Sequence, residues 1–455
     1  MPNQGLPSRM QFPLAACLLA AALVLGGGQG TLGDAGLQLL ALSLVTLCLW
    51  RHAHEPGAGL PRRAWLAALP LVLPLLQLMP VPEALWRLPS ARAELAAELE
   101  LAGVAAANRW SLVPLATERA LAWLLPASAL YLACLQLGKA QRVVLLRLIA
   151  ALAAASVLLG LAQLAGGKDS ALRFYSNTNT TEAVGFFANR NHLASLLALA
   201  LPLVVVGTAR WLGQRDGWDA RSVLGLVAGI GLVALLILGI AMARSRAGLL
   251  LGMIGLAASA LVVLAMRRRR GTRRALAVAV AFGLTLAVQF ALFGIMQRLE
   301  SDPLDDARFR FLPVIAEVSD RHAPLGTGLG GFRRAFEAEQ RPPEAYYVNQ
   351  AHNDWAQAWF EGGWPGLVLA GLALALLVLA GWHAWRPAGD GTRGPEVRRV
   401  AWLGLVLLAL HSLADYPLRT SAMLAVAGVL AGVVAAPSNR TPSRHEQGSL
   451  RPNAA

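Results

Sequence analysis

The sequence predicts an all-α integral membrane protein of about twelve transmembrane helices, broken once by a long polar segment. The mean hydropathy is +0.52 and 56% of the 455 residues are hydrophobic, too apolar for a water-soluble chain of this length. Apolar runs of roughly 20 residues, enough to cross a hydrocarbon layer about 30 Å thick, recur along the chain. Residues 297–363 break the pattern with seven Arg and eleven Asp or Glu. A loop that long inside a compact protein is usually functional rather than structureless.

The expected spans lie near 12–29, 33–50, 64–80, 117–136, 143–165, 192–209, 222–241, 246–266, 275–296, 364–385, 400–413 and 418–436. The first follows Arg9 as a signal peptide would. It lacks a small-x-small cleavage site and leads directly into further spans, so it is read as a membrane anchor. Residues 1–436 thus form one polytopic domain, with the 297–363 loop between the ninth and tenth helices and a polar, disordered tail over 437–455. Cys17, Cys48 and Cys134 all fall inside spans and form no C-x-x-C pair, so neither a zinc site nor a disulfide framework is suggested.

A net charge of +14 first suggests nucleic acid, but its distribution argues for a membrane. With the N-terminus inside, the inner segments hold 23 Lys or Arg against 6 Asp or Glu, and the outer ones 17 against 20. Positive charge is retained on the cytoplasmic side during insertion, which sets the orientation. The strongest signal is Arg267–Arg270 with Arg273 and Arg274, read as a headgroup-facing inner loop. Every chemically notable stretch then falls on the extracytoplasmic side.

Those stretches follow in chain order. Ala91–Ala107 is rich in Ala, Leu and Glu at helical spacing and reads as an interfacial helix, a structural collar. The loop 166–190 mixes amides, hydroxyls and aromatics, a surface suited to sugars, although a polar turn is the favoured reading of it. It ends in Phe186-Phe187-Ala188-Asn189-Arg190-Asn191-His192, where Asn189 and Asn191 either cap a helix or bind substrate. Arg244-Ser245-Arg246 joins two spans too tightly for Arg246 to leave the membrane surface, a costly position unless it snorkels or meets an anion. Arginine also suits bidentate phosphate recognition.

Within the large loop, the apolar spacing over 305–319 predicts a short amphipathic helix broken early by Pro313, with Arg308 and Arg310 at its start. Pro324-Leu325-Gly326-Thr327-Gly328 contains G-x-G, but no strand precedes it, so a dinucleotide site is rejected. Gly326 and Gly328 make either a tight turn or a close backbone approach to an anion. His352-Asn353-Asp354 then leads into Pro365-Gly366, which opens the tenth span. A neutral imidazole is the usual side chain for taking a proton from a hydroxyl near pH 7. In the last outer turn, Asp415 and Arg419 either pair with each other or line the same site from the far side of the bundle.

His352-Asn353-x9-Gly363-x2-Gly366 resembles the H-[N/S/Q]-x9-G-x-x-[G/T/Y] motif of the bacterial O-antigen ligase and polymerase superfamily. Pro324-Leu325-Gly326-x-Gly328, Ser245-Arg246 and Phe187-Ala188-Asn189-x-Asn191 are similar to three further elements of it. The resemblance implies a GT-C-like membrane fold and a glycosyltransferase that needs no metal or cofactor. Its donor would be an undecaprenyl-pyrophosphate-linked glycan, attacked at the periplasmic side of the bacterial inner membrane. The acceptor would be lipid A–core for a ligase, or a growing polysaccharide for a polymerase. Carried over by position, the essential set is His352, Arg246 and either Arg308 or Arg310; the Trp that often follows the second arginine is missing. Asn189, Asn191, Asn353, Gly326, Gly328, Asp415 and Arg419 are the expected substrate contacts. The chain has no D-x-D triplet, which leaves the pyrophosphate charge to arginines. A lipid-linked glycan flippase, the competing class, predicts charges deep within several spans. Here the span middles are nearly free of charge.

Overall fold

The computed structural model describes residues 6–28, 31–55, 59–215, 219–266, 303–339, 348–386 and 395–437, with only the backbone at 6–8, 31–32 and 303–310. The expected span 275–296, the arginine run 267–274 and the tail 438–455 lie outside the described residues. Among the described residues the chain is helical, without strands. The helices are α1 (Leu6–Leu25), α2 (Thr31–His54), α3 (Leu69–Gln77), α4 (Glu83–Trp86), α5 (Ser90–Leu101), α6 (Pro114–Gln136), α7 (Lys139–Ala165) and α8 (Arg190–Leu212). They continue as α9 (Ala220–Ala243), α10 (Arg246–Leu264), α11 (Pro303–Arg321), α12 (Phe332–Glu339), α13 (Asp354–Trp385), α14 (Pro395–His411) and α15 (Ser421–Ala435).

Seven described helices are long and apolar enough to cross a membrane: α2, α6, α7, α8, α9, α10 and α13. Two shorter apolar helices are α15 and Arg9–Leu25 of α1. The chain is an all-α integral membrane protein. Two expected spans differ in form. Residues 64–80 make a 3-10 turn at Arg62–Ala67 followed by short α3, with Pro70 in the first turn of α3, where proline is tolerated, and Pro74 inside it. Residues 400–413 fall mostly within 17-residue α14.

Helix α8 is the axis of the bundle. It packs against α7, α9, α10 and α14, while α6 holds α2 and α15 on the other flank. Burial separates the helices: 89% of the apolar window of α8 is buried, against 11% for α13. Small residues permit close approach. A Cβ on Gly248 of α10 would meet Ala194 Cβ of α8 at 2.3 Å, and one on Gly428 of α15 would meet the Ala127 carbonyl of α6 at 2.3 Å.

A cap covers one end of the bundle, built from α4, α5, α11 and α12 over a second apolar cluster that includes Ile315, Phe332, Phe336, Ala351 and Phe360. The helix expected over 91–107 is α5, which stops at Leu101. Helix α11 is not broken at Pro313, contrary to the sequence reading. It runs unbroken to Arg321: proline removes one amide donor and leaves the rest of the ladder intact. Arg321 joins Glu94 of α5 to Glu339 of α12. Arg92, fully buried, donates to the Trp110 carbonyl at 2.5 Å and the Gly326 carbonyl at 2.7 Å, which fastens the collar to the glycine loop.

That loop locks onto α13. Gly326, Gly328 and Gly330 all have positive φ, as does Gly363, which kinks α13 at φ 59° and ψ −148°. The two backbones touch: a Cβ on Gly326 would lie 2.5 Å from Gly363 N, and one on Gly363 would lie 2.1 Å from the Pro324 carbonyl oxygen. Trp364 N donates to that oxygen at 3.0 Å, and Gly328 N to the Glu361 carbonyl at 2.9 Å. Helix α13 also begins earlier than expected, at Asp354 rather than Pro365, because Asn353 caps it. The Asn353 side chain accepts from Trp355 N and Ala356 N, both at 3.0 Å.

Two stability tests follow from the cap. Gly363→Ala places a Cβ at a positive φ and against backbone, so it should cost about 1–3 kcal/mol and lower the melting temperature of the detergent-solubilised protein. An unchanged melting temperature would contradict the interlock. His322 is buried beside Glu339, its Nε2 3.4 Å from Oε1. Burial first, then Arg92 and Arg321, holds its imidazole down to about 4. An unfolded histidine takes its proton near 6.5, so this contribution is complete above pH 6.5 and is lost as pH falls toward 4. Between pH 7.5 and 5 the loss is about 2 kcal/mol. The stability difference between wild type and His322→Gln should therefore move against the wild type on acidification, and a pH-independent difference would contradict the account.

Candidate functional site

The chemically notable stretches meet at the capped end of the bundle. Helices α8 and α10 begin side by side there, since Gly248 packs against Ala194. Ser245 is the N-cap of α10, accepting from Gly248 N at 3.1 Å, with Arg244 just before it in the left-handed region at φ 51°. The S-R pair is thus a helix cap followed by an exposed arginine at the first helical position. Asn189 caps α8 in the same way, accepting from Asn191 N at 2.8 Å, and its amide reaches Tyr416 Oη at 3.4 Å. Asn191 and His192 are buried beneath it.

The loop before α8 is well tied. Gln163 of α7 is fully buried; its amide donates to the Gly185 carbonyl at 2.8 Å and accepts from Gly185 N at 2.9 Å. Arg190 ion-pairs with Glu182, and Arg190 N donates to the Asn179 side chain at 3.0 Å. The amide-rich loop therefore spends part of its polarity on its own fold.

His352 stands at the centre. Its backbone is left-handed, φ 51°, an uncommon state for a residue with a Cβ. The imidazole Nδ1 lies 3.6 Å from Oδ1 of Asp415, a residue only 1% exposed. That separation is too long for a hydrogen bond and within the range of an ion pair with a protonated imidazole. The Tyr416 ring stands edge-on between two histidines, 5.0 Å from His352 and 4.9 Å from His192. Asn353 donates to the Leu413 carbonyl at 3.0 Å, and Asp354 N to the Ser412 carbonyl at 2.9 Å. Four stretches, around 189–192, 245–248, 351–354 and 411–419, are thereby placed together.

Behind His352 lies a buried ionic cluster. Arg419 pairs with Glu361 and, at 3.4 Å, with Asp354. Glu361 is fully buried and also accepts from Gln357 at 3.0 Å and Phe332 N at 3.3 Å. Asp354 accepts from Ser412 Oγ at 2.8 Å and Leu418 N at 3.2 Å. Of the expected pair, Asp415 faces His352 while Arg419 engages Asp354 and Glu361. Gly326 and Gly328 lie in the interlocked loop, against the Glu361 carbonyl. Positions 308 and 310 fall on the backbone of α11 and, two apart, do not share a helix face.

Sequence reasoning did not single out Glu361, Gln77, Arg92 or Tyr416. Gln77 donates to the Glu361 carbonyl at 2.9 Å and accepts from Leu329 N at 2.8 Å, so α3 is bound to both α13 and the glycine loop. An acid inside an apolar helix start, as at Glu361, was the one available signal.

Residues 231–371 match a family model described as O-antigen ligase. The matched segment includes Ser245-Arg246, the glycine loop, His352 and the Gly363 kink. No curated protein matches the chain.

Breaking the ionic cluster from one side should cost far more than a surface pair. Arg419→Met leaves Glu361 buried without its cation, a loss of about 3–5 kcal/mol. Thermal unfolding of the purified protein measures it, and a change under about 1 kcal/mol, the worth of an exposed pair, would contradict the buried assignment.

Proposed function

We propose that the chain, whose residues 231–371 match the O-antigen ligase family model, is a membrane glycosyltransferase of the O-antigen ligase and polymerase superfamily using an undecaprenyl-pyrophosphate-linked glycan. The observation that carries this reading is the apposition of His352 and buried Asp415 at 3.6 Å, at the end of the bundle where α8 and α10 begin. In the reaction, an acceptor hydroxyl attacks the anomeric carbon of the glycan. The bond from that carbon to the pyrophosphate oxygen breaks, and undecaprenyl pyrophosphate leaves with the electron pair. His352 takes the hydroxyl proton, and Asp415 orients the imidazole and stabilises its positive charge.

The leaving group gains negative charge as the bond breaks. Arg246, at the start of α10, and Arg308 or Arg310 on α11 are the cations assigned to it, in place of a metal ion. Asn189, Asn191 and Asn353 then serve two ends, capping helices and lining the sugar path. Gly326 and Gly328 bring backbone close to α13 and shape the site floor. The charge asymmetry supports an orientation in the bacterial inner membrane with the site facing the periplasm. The acceptor assigned is lipid A–core, in keeping with the wide 297–363 cap.

Reconstitution with an undecaprenyl-pyrophosphate glycan and lipid A–core tests this. Wild type should glycosylate lipid A–core; His352→Ala should lose about 10²–10⁴-fold in rate and Arg246→Ala about 10²–10³-fold. Lengthening of the lipid-linked glycan with lipid A–core untouched would make the chain a polymerase. Movement of the labelled lipid between leaflets without any transfer would overturn the enzyme reading.

A further inference from the structure

A second charged centre lies at the end of the bundle away from the cap. Helix α6 starts beside the glycine loop, where Thr117 donates to the Leu329 carbonyl at 2.9 Å. Its 23 residues end about 30 Å away. Three arginines gather at that far end. Arg63, in the 3-10 turn, donates to the Ala435 carbonyl at 3.1 Å, and Arg398 of α14 donates to the next carbonyl, that of Ala436, at 2.8 Å. Arg142 of α7 donates to the Cys134 carbonyl in the last turn of α6 at 3.2 Å. Adjacent carbonyls bring the first two guanidiniums together, and Arg398 lies within electrostatic reach of both Arg63 and Arg142. The turn that carries Arg63 is pinned to α6: Tyr131 Oη donates to the Arg63 carbonyl at 3.0 Å and Ser128 Oγ to the Ala67 carbonyl at 2.8 Å.

The charge of this group is not balanced from within. Among the described residues no carboxylate pairs with any of the three arginines. Glu396, two residues before Arg398 on α14, pairs instead with Arg210 of α8 at 3.8 Å. The carbonyl ends of α6 and α15 each supply about half a negative charge, but Arg142 and Arg398 stand within one turn of the starts of α7 and α14, which supply about as much positive charge. The helix ends cancel, and three like charges remain side by side. Arg142 is buried, only 7% exposed, while Arg63 is open to solvent. A buried charge is retained where an opposite charge meets it.

We propose that Arg63, Arg142 and Arg398 form a phosphate site for an anionic phospholipid of the leaflet opposite the cap. The guanidinium fork matches phosphate oxygens, and basic pockets between spans hold anionic headgroups in this way. The exposed side of Arg63 admits the headgroup, and the apolar helices beside it take the acyl chains. One phosphate then ties the 3-10 turn, α7 and α14 together at the ends of α6 and α15. The site is independent of the transferase reading, since it lies at the other end of the molecule from His352.

The test titrates the full chain, in a neutral detergent, with phosphatidylglycerol, phosphatidylcholine or inorganic phosphate, and thermal unfolding reads the binding. Phosphatidylglycerol should raise the melting temperature of wild type saturably, and phosphatidylcholine or inorganic phosphate at the same concentration should not. Arg63→Gln/Arg398→Gln should need about tenfold more phosphatidylglycerol for the same rise, and Arg63→Lys/Arg398→Lys should recover part of the loss. Arg62→Gln, which changes an exposed neighbour outside the group, should respond as wild type does. If the glutamine pair does not fold, Arg63→Gln alone carries the comparison, because that side chain is exposed. Equal responses from wild type and the glutamine variants would overturn the proposal and leave the arginines as helix caps. So would an equal loss in Arg62→Gln, which marks diffuse surface charge, or an equal response to phosphatidylcholine. A response to inorganic phosphate matching that to phosphatidylglycerol would overturn the lipid assignment in favour of a free anion.

Discussion

The capped end of the molecule depends on the burial of one carboxylate. Glu361 is fully inside, and a buried charge is tolerated only when its partners are fixed. Its side chain gathers Arg419, Gln357 and Phe332 N, and its carbonyl takes Gly328 N and Gln77. Five parts of the chain converge on one residue: α3, the glycine loop, α12, α13 and the turn before α15. The Gly363 kink two residues later lets α13 leave this cluster and continue as an apolar helix. Without the positive φ at Gly363, the glycine loop has no room beside it.

The same arrangement explains where the chemistry lies. Irregular backbone is not tolerated against lipid and is found where protein buries it. Here the irregular segments are helix caps and turns at one end: Asn189, Ser245, Asn353 and the turn around 411–419. Two of these caps also stand around His352: Asn353 beside it, and Asn189 through Tyr416. The left-handed backbone of His352 is an exception to ordinary loop geometry, held by the Ala351 packing below and the Asn353 cap above. Strain of this kind persists where surrounding structure over-determines it.

Much of this was legible in the sequence because it is local. Apolar run length gave the spans, and charge asymmetry gave an orientation that puts the 186–192, 244–246, 352–354 and 415–419 stretches on one side; the structure brings those stretches together at one end. Helix capping by Asn189 and Ser245 is a short-range property of residue type. What was not legible depends on partners far away in sequence. Glu361 reads as a stray acid until Arg419 and Gln77 are brought to it. Arg92 reads as one charge on an amphipathic helix, yet it is buried against the glycine loop. By sequence α13 starts at Pro365, where the apolar run opens, and α11 ends at Pro313, because proline usually ends a helix; the Asn353 cap and the unbroken ladder of α11 depend on structure that local pattern does not carry.

The claim at the centre of this account is that His352 and Asp415 act as one catalytic unit, and a double-mutant cycle on glycan transfer measures it most directly. Rates would be compared for wild type, His352→Ala, Asp415→Ala and the double variant, with folding checked by thermal unfolding. The account predicts strong non-additivity, with the double variant no slower than His352→Ala alone, because Asp415 has nothing to orient once the imidazole is gone. Independent losses that multiply in the double variant would contradict it.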